Sequence, residues 1–236
     1  MTIKKIVLFC ALIAAYNFNL AQAAAEGAYM GFIAGVSNGQ NKTQNVQTGV
    51  SQVAPTTNPD PTVSNPPAAV PVDPSNSGMA GGFIIGYAFN QYGAFEFGYT
   101  HYASSTYSKP DGSQLTHDST INLNTIDLAM KGSIPFKAVN IFGKLGILQA
   151  YQGFSGSLEP VTVQPSGKVV ASENNLAKTA VRPMYGFGVS YDVTQNWVVD
   201  LTYTTFTGGS GVQGADLIAL GLSYHFVDLM CGQFLC

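Results

Sequence analysis

The chain has 236 residues, of which 10% are charged and 46% apolar, whereas an average soluble domain carries about 25% charged residues. Ten Lys and Arg against thirteen Asp and Glu give a net charge of −3, which excludes the basic footprint of a nucleic-acid-binding protein. Gly (26), Pro (12) and uncharged polar residues fill the gap, a mixture too apolar for general disorder and too weakly charged for a typical cytosolic enzyme.

In chain order, residues 1–23 read as a secretory signal peptide. Lys4 and Lys5 form the basic segment, Ile6 to Ala15 the apolar one, and Ala21-Gln22-Ala23 a small-x-small cleavage site, with cleavage after 23 or, on the overlapping site, after 25. Asn17 and Asn19 break the apolar run well short of the ~20 residues a spanning helix needs. Beyond the leader no apolar stretch is long enough for a helix to span, so any membrane crossing must use strands.

Eight later segments alternate in hydrophobicity with period two: Ala28–Val36, Met79–Phe89, Gly93–Tyr102, Ile121–Phe136, Val139–Phe154, Ala177–Tyr191, Trp197–Phe206 and Asp216–Phe226. Short turns follow the second, fourth and sixth, at Asn90-Gln91-Tyr92, Lys137-Ala138 and Val193-Thr194-Gln195. Long connections follow the first, third, fifth and seventh, at Ser37–Gly78, Ala103–Thr120, Ser155–Leu176 and Thr207–Ala215. Such sorting predicts an all-β, eight-stranded antiparallel up-and-down transmembrane β-barrel, with tight periplasmic turns, longer outer loops and both termini in the periplasm.

Facing supports the same architecture. Phe95, Phe97, Tyr99 and His101 oppose Ala94, Glu96, Gly98 and Thr100; Ile218, Leu220, Leu222 and Tyr224 oppose Leu217, Ala219, Gly221 and Ser223. One face is bulky and apolar with almost no charge, which suits lipid better than water. Phe89, Tyr191, Trp197 and Phe226 are placed for one aromatic girdle, and Tyr99, Tyr151 and Tyr203 for the other.

The segments Ala94-Phe95-Glu96-Phe97-Gly98-Tyr99, Phe142-Gly143-Lys144-Leu145-Gly146 and Gly221-Leu222-Ser223-Tyr224-His225-Phe226 resemble the eight-stranded outer-membrane β-barrel family. That family includes the transmembrane domain of outer-membrane protein A and the opacity-type surface antigens. The resemblance covers about residues 27–226 and implies a monomeric barrel in the bacterial outer membrane, with the aromatic-ended last strand as its assembly signal. It specifies architecture far better than function. A first outer loop at about 37–78 and a periplasmic tail at 227–236 depart from the common pattern, and no peptidoglycan-binding domain follows.

Facing assigns Glu96, Asp127, Lys131, Lys144, Arg182 and Asp200 to the lumen, since Arg or Lys facing lipid near the midplane costs about 2–4 kcal/mol. The tight turn at Lys137-Ala138 places Lys131 opposite Lys144, so a carboxylate is required beside them, with Glu96 and Asp200 the candidates. This network reads as structural packing of a narrow lumen, together with Phe142, Leu148 and Met184. Its functional alternative is a gated conduit.

No cofactor, metal or catalytic residue is implied. Gly209-Ser210-Gly211-Val212-Gln213-Gly214 matches G-x-G-x-x-G by letter but leads into a strand rather than a helix, and reads as a flexible outer loop. His101, His117 and His225 lie on different segments, and only His101 with Ser104 or Ser105 offers a lipid-modifying hydrolase pair, without a carboxylate to orient it. Cys231 and Cys236, the cysteines left after the leader, read as a disulfide in the oxidising periplasm. Seven of the twelve prolines fall between Pro55 and Pro74, predicting an extended or disordered first loop. The expectation is a non-enzymatic surface protein, structural or contacting host or environmental ligands (adhesion) through its outer loops. Its partners would be outer-membrane lipid and lipopolysaccharide. The alternatives are a porin-like narrow pore or carrier for small or hydrophobic solutes, and a lipid-modifying enzyme.

Overall fold

A computed structural model describes residues 26–40, 44–47, 69–108, 119–155, 161–163, 169–171 and 178–226. Its eight long strands are β1 (Gly27–Gly39), β2 (Ser77–Asn90), β3 (Gly93–His101), β4 (Ser119–Phe136), β5 (Val139–Ser155), β6 (Lys178–Asp192), β7 (Trp197–Phe206) and β8 (Ala215–His225). Each pairs antiparallel with its neighbours in sequence, and β1 pairs with β8 from Tyr29↔His225 to Gly39↔Ala215, closing an eight-stranded barrel. Closure leaves no free edge in the wall, so its backbone polar groups are satisfied without water.

Alternation decides which side chain goes where. Along β8, Leu217, Ala219, Gly221, Ser223 and His225 are buried, while Ile218, Leu220 and Leu222 are exposed. The same rule sends Phe32, Phe97, Leu145 and Phe187 outward, with Phe32 at 71% exposure. A soluble barrel exposing large hydrophobics on every strand would aggregate; in a bilayer that surface meets hydrocarbon. From Ile218 to Phe226 the outward row is wholly apolar or aromatic. At ~3.3 Å per residue and ~40° tilt this rises roughly 20 Å, close to the ~25 Å of a membrane barrel's apolar band.

The termini of the barrel and the turns after β2, β4 and β6 share one end, and the long connections share the other. Lys137 takes a left-handed φ of 61° in the two-residue turn between β4 and β5, as such hairpins require. β4 and β5 run to 18 and 17 residues, longer than the 9–11 residues needed to span. Their excess projects at the long-connection end. There a short strand, Ser105–Tyr107, pairs with the start of β4, and Pro74–Ser75 pairs with it in turn.

The described part of the Pro-rich first loop is extended: Gln44–Gln47 pairs antiparallel with Ala69–Val72, and Pro74 lies in the strand beside Tyr107, while Pro55, Pro59, Pro61, Pro66 and Pro67 lie outside the described residues. Proline is accommodated because these are edge strands, where a missing N–H donor breaks no ladder in the barrel wall. One loop expectation is corrected: the 209–214 segment is not a flexible loop. Gly209 and Val212 exchange backbone hydrogen bonds of 2.8 and 3.1 Å, and Val212, Gln213 and Ala215 are buried. Apolar Val212 gains more from the barrel mouth than from water. The leader, His117, and the tail with Cys231 and Cys236 lie outside the described residues.

Candidate functional site: the closed lumen and its mouth

Midway along the barrel the inward side chains form a charged layer. Glu96 on β3 is 2% exposed and accepts from three groups. Tyr29 Oη donates to its Oε1 at 2.7 Å, Lys131 Nζ lies 3.5 Å from the same oxygen, and Lys144 Nζ pairs with Oε2. Lys131 and Lys144 are direct cross-strand partners on β4 and β5. Beneath them lies the Phe142 ring, with the Lys131 ammonium 4.3 Å and the Lys144 ammonium 5.5 Å from its centroid. A cation over an aromatic face is attracted by the ring quadrupole, so Phe142 shares the work of holding two like charges. His225 stacks on Tyr29 with centroids 4.6 Å apart, extending the layer to β8.

Glycines on the wall make room for these rings. A Cβ at Gly86 would run into the Tyr29 ring, and one at Gly188 would meet Phe142. The small interior residues are therefore the counterpart of the large ones opposite, as a narrow barrel requires.

Of the remaining sequence-assigned lumenal charges, Asp127 packs beside Gly98 and Asp200 beside Gly221. Asp200 accepts a 2.7 Å hydrogen bond from Thr202. Arg182 does not join the layer: its guanidinium lies against Gly209 at the long-connection mouth. Tyr29 is the member that sequence reading missed. Its signal was a hydroxyl-bearing ring on the face of β1 that also carries Gly31, Ile33, Gly35 and Ser37.

Above the charged layer sits a cavity of about 40 Å³, lined in part by Glu96, Tyr102, Asp127, Lys144 and Met184. Below it, open to the short-turn end, is another of about 70 Å³, bounded in part by Tyr29, Lys131, Asn140, Asp192 and His225. Both hold only a few waters. The upper cavity is roofed by an apolar cluster that includes Tyr102, Leu123, Leu148, Phe206, Val212 and Leu217, with Tyr102 and Phe206 edge to face at 5.7 Å. Hydrogen bonds stitch the roof to the wall. Ala103 N donates to Ser37 Oγ at 2.8 Å, Gln213 N to Gln152 Oε1 at 2.9 Å, and Gln40 N to Gly214 O at 2.8 Å.

The sole histidine–serine pairing that sequence suggested is not assembled. His101 Nδ1 is 2.7 Å from Asn124 Oδ1, Ser104 donates to Asn122 at 2.6 Å, and Ser105 turns inward to Gln213 at 3.4 Å.

A Coxiella burnetii (strain RSA 493 / Nine Mile phase I) chain described as "Uncharacterized protein" is 31% identical over 174 residues, 63% of this chain and 68% of that one. Among solved structures, the outer membrane protein OprG from Pseudomonas aeruginosa matches at TM-score 0.47 and 10% identity, covering 86% of this chain and 99% of that one. Neisserial surface protein A matches at TM-score 0.46 and 15% identity, covering 86% and 99%. The attachment invasion locus protein Ail of Yersinia pestis matches at TM-score 0.43 and 13% identity, covering 85% and 99%. The family model of the outer membrane protein beta-barrel domain matches residues 6–226, and the chain belongs to that family.

Proposed function

We propose that this outer-membrane barrel acts at its long-connection end, as a surface protein that contacts host or environmental ligands, rather than through its lumen. In this reading the long connections face outside and both termini face the periplasm. The barrel is a monomer, with lipid and lipopolysaccharide around its apolar belt. The observation that carries it is closure at two levels: the Glu96 layer fills the middle, and the Tyr102–Phe206–Val212 roof fills the mouth. A solute would have to displace both, whereas a partner outside meets the connections without disturbing the barrel. Binding residues commonly sit on loops held by a rigid scaffold.

Replacing residues 48–68 by a short Gly-Ser link tests the reading, because no barrel strand is touched. The variant should keep the heat-dependent gel shift of a folded barrel and lose binding to host cells or matrix. Protease added to intact cells should cleave the wild type only within the long connections. Unchanged surface binding for this and every other long-connection replacement would leave the protein a structural component of the membrane.

A further inference from the structure

Beneath the Gly209–Val212 turn the mouth holds polar hydrogens that have nothing to bond. Arg182 Nε and Nη2 and Gln213 Nε2 are shielded from solvent and lack hydrogen-bond partners, and Gln213 as a whole is 7% exposed. The Arg182 guanidinium lies against Gly209 and the Lys178 ammonium against Gly211, so both cations of β6 approach one turn. That approach needs glycine twice over. A Cβ at either position would meet a cationic head, and both residues have positive φ, +154° and +80°.

Among the described residues no carboxylate forms an ion pair with Lys178 or Arg182; Lys131 and Lys144 by contrast both pair with Glu96. Asp127 shares a rung with Arg182 through Leu148, yet it packs toward Gly98 on the other side. Asp216 is held outside the wall by Tyr203 at 2.8 Å and Gln40 at 3.3 Å. Stranded donors are costly, and native proteins retain few of them. The stranded guanidinium nitrogens of Arg182 only donate and the neighbouring Lys178 head is cationic, so the complementary ligand accepts only and is negative. Arginine's planar fork matches such oxygens bidentately.

We infer that the long-connection mouth binds a tetrahedral oxyanion, the phosphate or sulfate group of an ester, between Arg182 and Lys178 beside Gly209 and Gly211. The site gives a chemical class to the surface-contact reading and rests on it for access from outside.

The mature protein, refolded in phosphatidylcholine nanodiscs at low ionic strength, is titrated calorimetrically with inorganic phosphate and then inorganic sulfate. One saturable site is expected for at least one of them. Arg182→Gln should weaken it about tenfold or more, the scale of a lost charge-assisted pair. Lys178→Gln should weaken it less, and Lys137→Gln at the opposite end should leave it unchanged. If Arg182→Gln loses the gel shift of a folded barrel, Lys178→Gln alone decides. Absence of a saturable site for both anions, or affinity indifferent to Lys178 and Arg182, overturns the assignment. Competition by bisphosphorylated lipid A in the same nanodisc would identify a lipid source. Competition by a soluble sulfated oligosaccharide would identify an external glycan, and either supports the site. The surface-contact reading fails on cells and this one in the calorimeter, so the two failures are distinguishable.

Discussion

Lys131 and Lys144 face each other across the β4–β5 ladder, and a single carboxylate, Glu96, reaches both ammoniums. Removing Glu96 would leave two like charges in the barrel centre with only Phe142 and more distant carboxylates to offset them. Glu96→Gln should therefore lower stability by about 3–5 kcal/mol, the cost of breaking a buried ion pair from one side. Lys131→Met should cost less, because Lys144 keeps its partner. Urea titration in lipid vesicles, read by the single Trp197, measures both; a Glu96→Gln barrel as stable as wild type would contradict the arrangement.

Tyr29 reaches Glu96 only because residue 86 has no side chain to block its ring. Gly86→Ala should cost about 1–3 kcal/mol by overpacking, and Tyr29→Phe about 1 kcal/mol for the lost hydrogen bond. The two should not add. With the ring already displaced, deleting its hydroxyl removes little more, so a double-mutant cycle should show coupling. Strict additivity would mean that the ring does not lie over Gly86.

The barrel was legible in the sequence because a strand's two faces meet different media, and the period-two pattern follows from that contrast alone. The register of Lys131 against Lys144 was legible for a local reason: a two-residue turn fixes which residues lie opposite. The roof was not. Ser105–Tyr107 and Val212 sit in connections rich in Gly and Ser, where no periodicity distinguishes a segment folded into the mouth from one in water. Tyr102, which alternation assigns to the end of the third strand, lies just past β3 and packs on Phe206, a contact between residues far apart in sequence. Arg182 faces inward as its strand position requires, but its height places it at the mouth rather than in the charged layer. Alternation reports facing and not depth.

Depth matters equally on the lipid face. Leu220, in the middle of the outward row of β8, is 62% exposed, and Leu220→Arg should destabilise the folded barrel by about 2–4 kcal/mol. Tyr224→Arg, near the short-turn rim, should cost about 0–1 kcal/mol. Equal penalties at the two positions in the same vesicles would place the bilayer elsewhere along the strands.

The lumen is closed twice by different chemistry, and this separates a sealed barrel from a narrow pore. Wild-type protein in a planar bilayer should show no steady open-channel current. Tyr102→Ala with Phe206→Ala removes the aromatic roof, at a cost of about 3–5 kcal/mol for a buried Phe, but the Glu96 layer below still spans the barrel. Current should remain absent in that double variant. Truncating the layer alone, by Tyr29→Ala with Phe142→Ala, leaves the roof hydrogen-bonded to β1 and β5 through Ser37 and Gln152, and should also fail to conduct. Only the combined variant, if it folds by the gel-shift criterion, opens a continuous water path, and ion current should appear there first. Current in the wild type would favour the pore, and current in either partial variant would show that the layer left in place does not seal the barrel by itself.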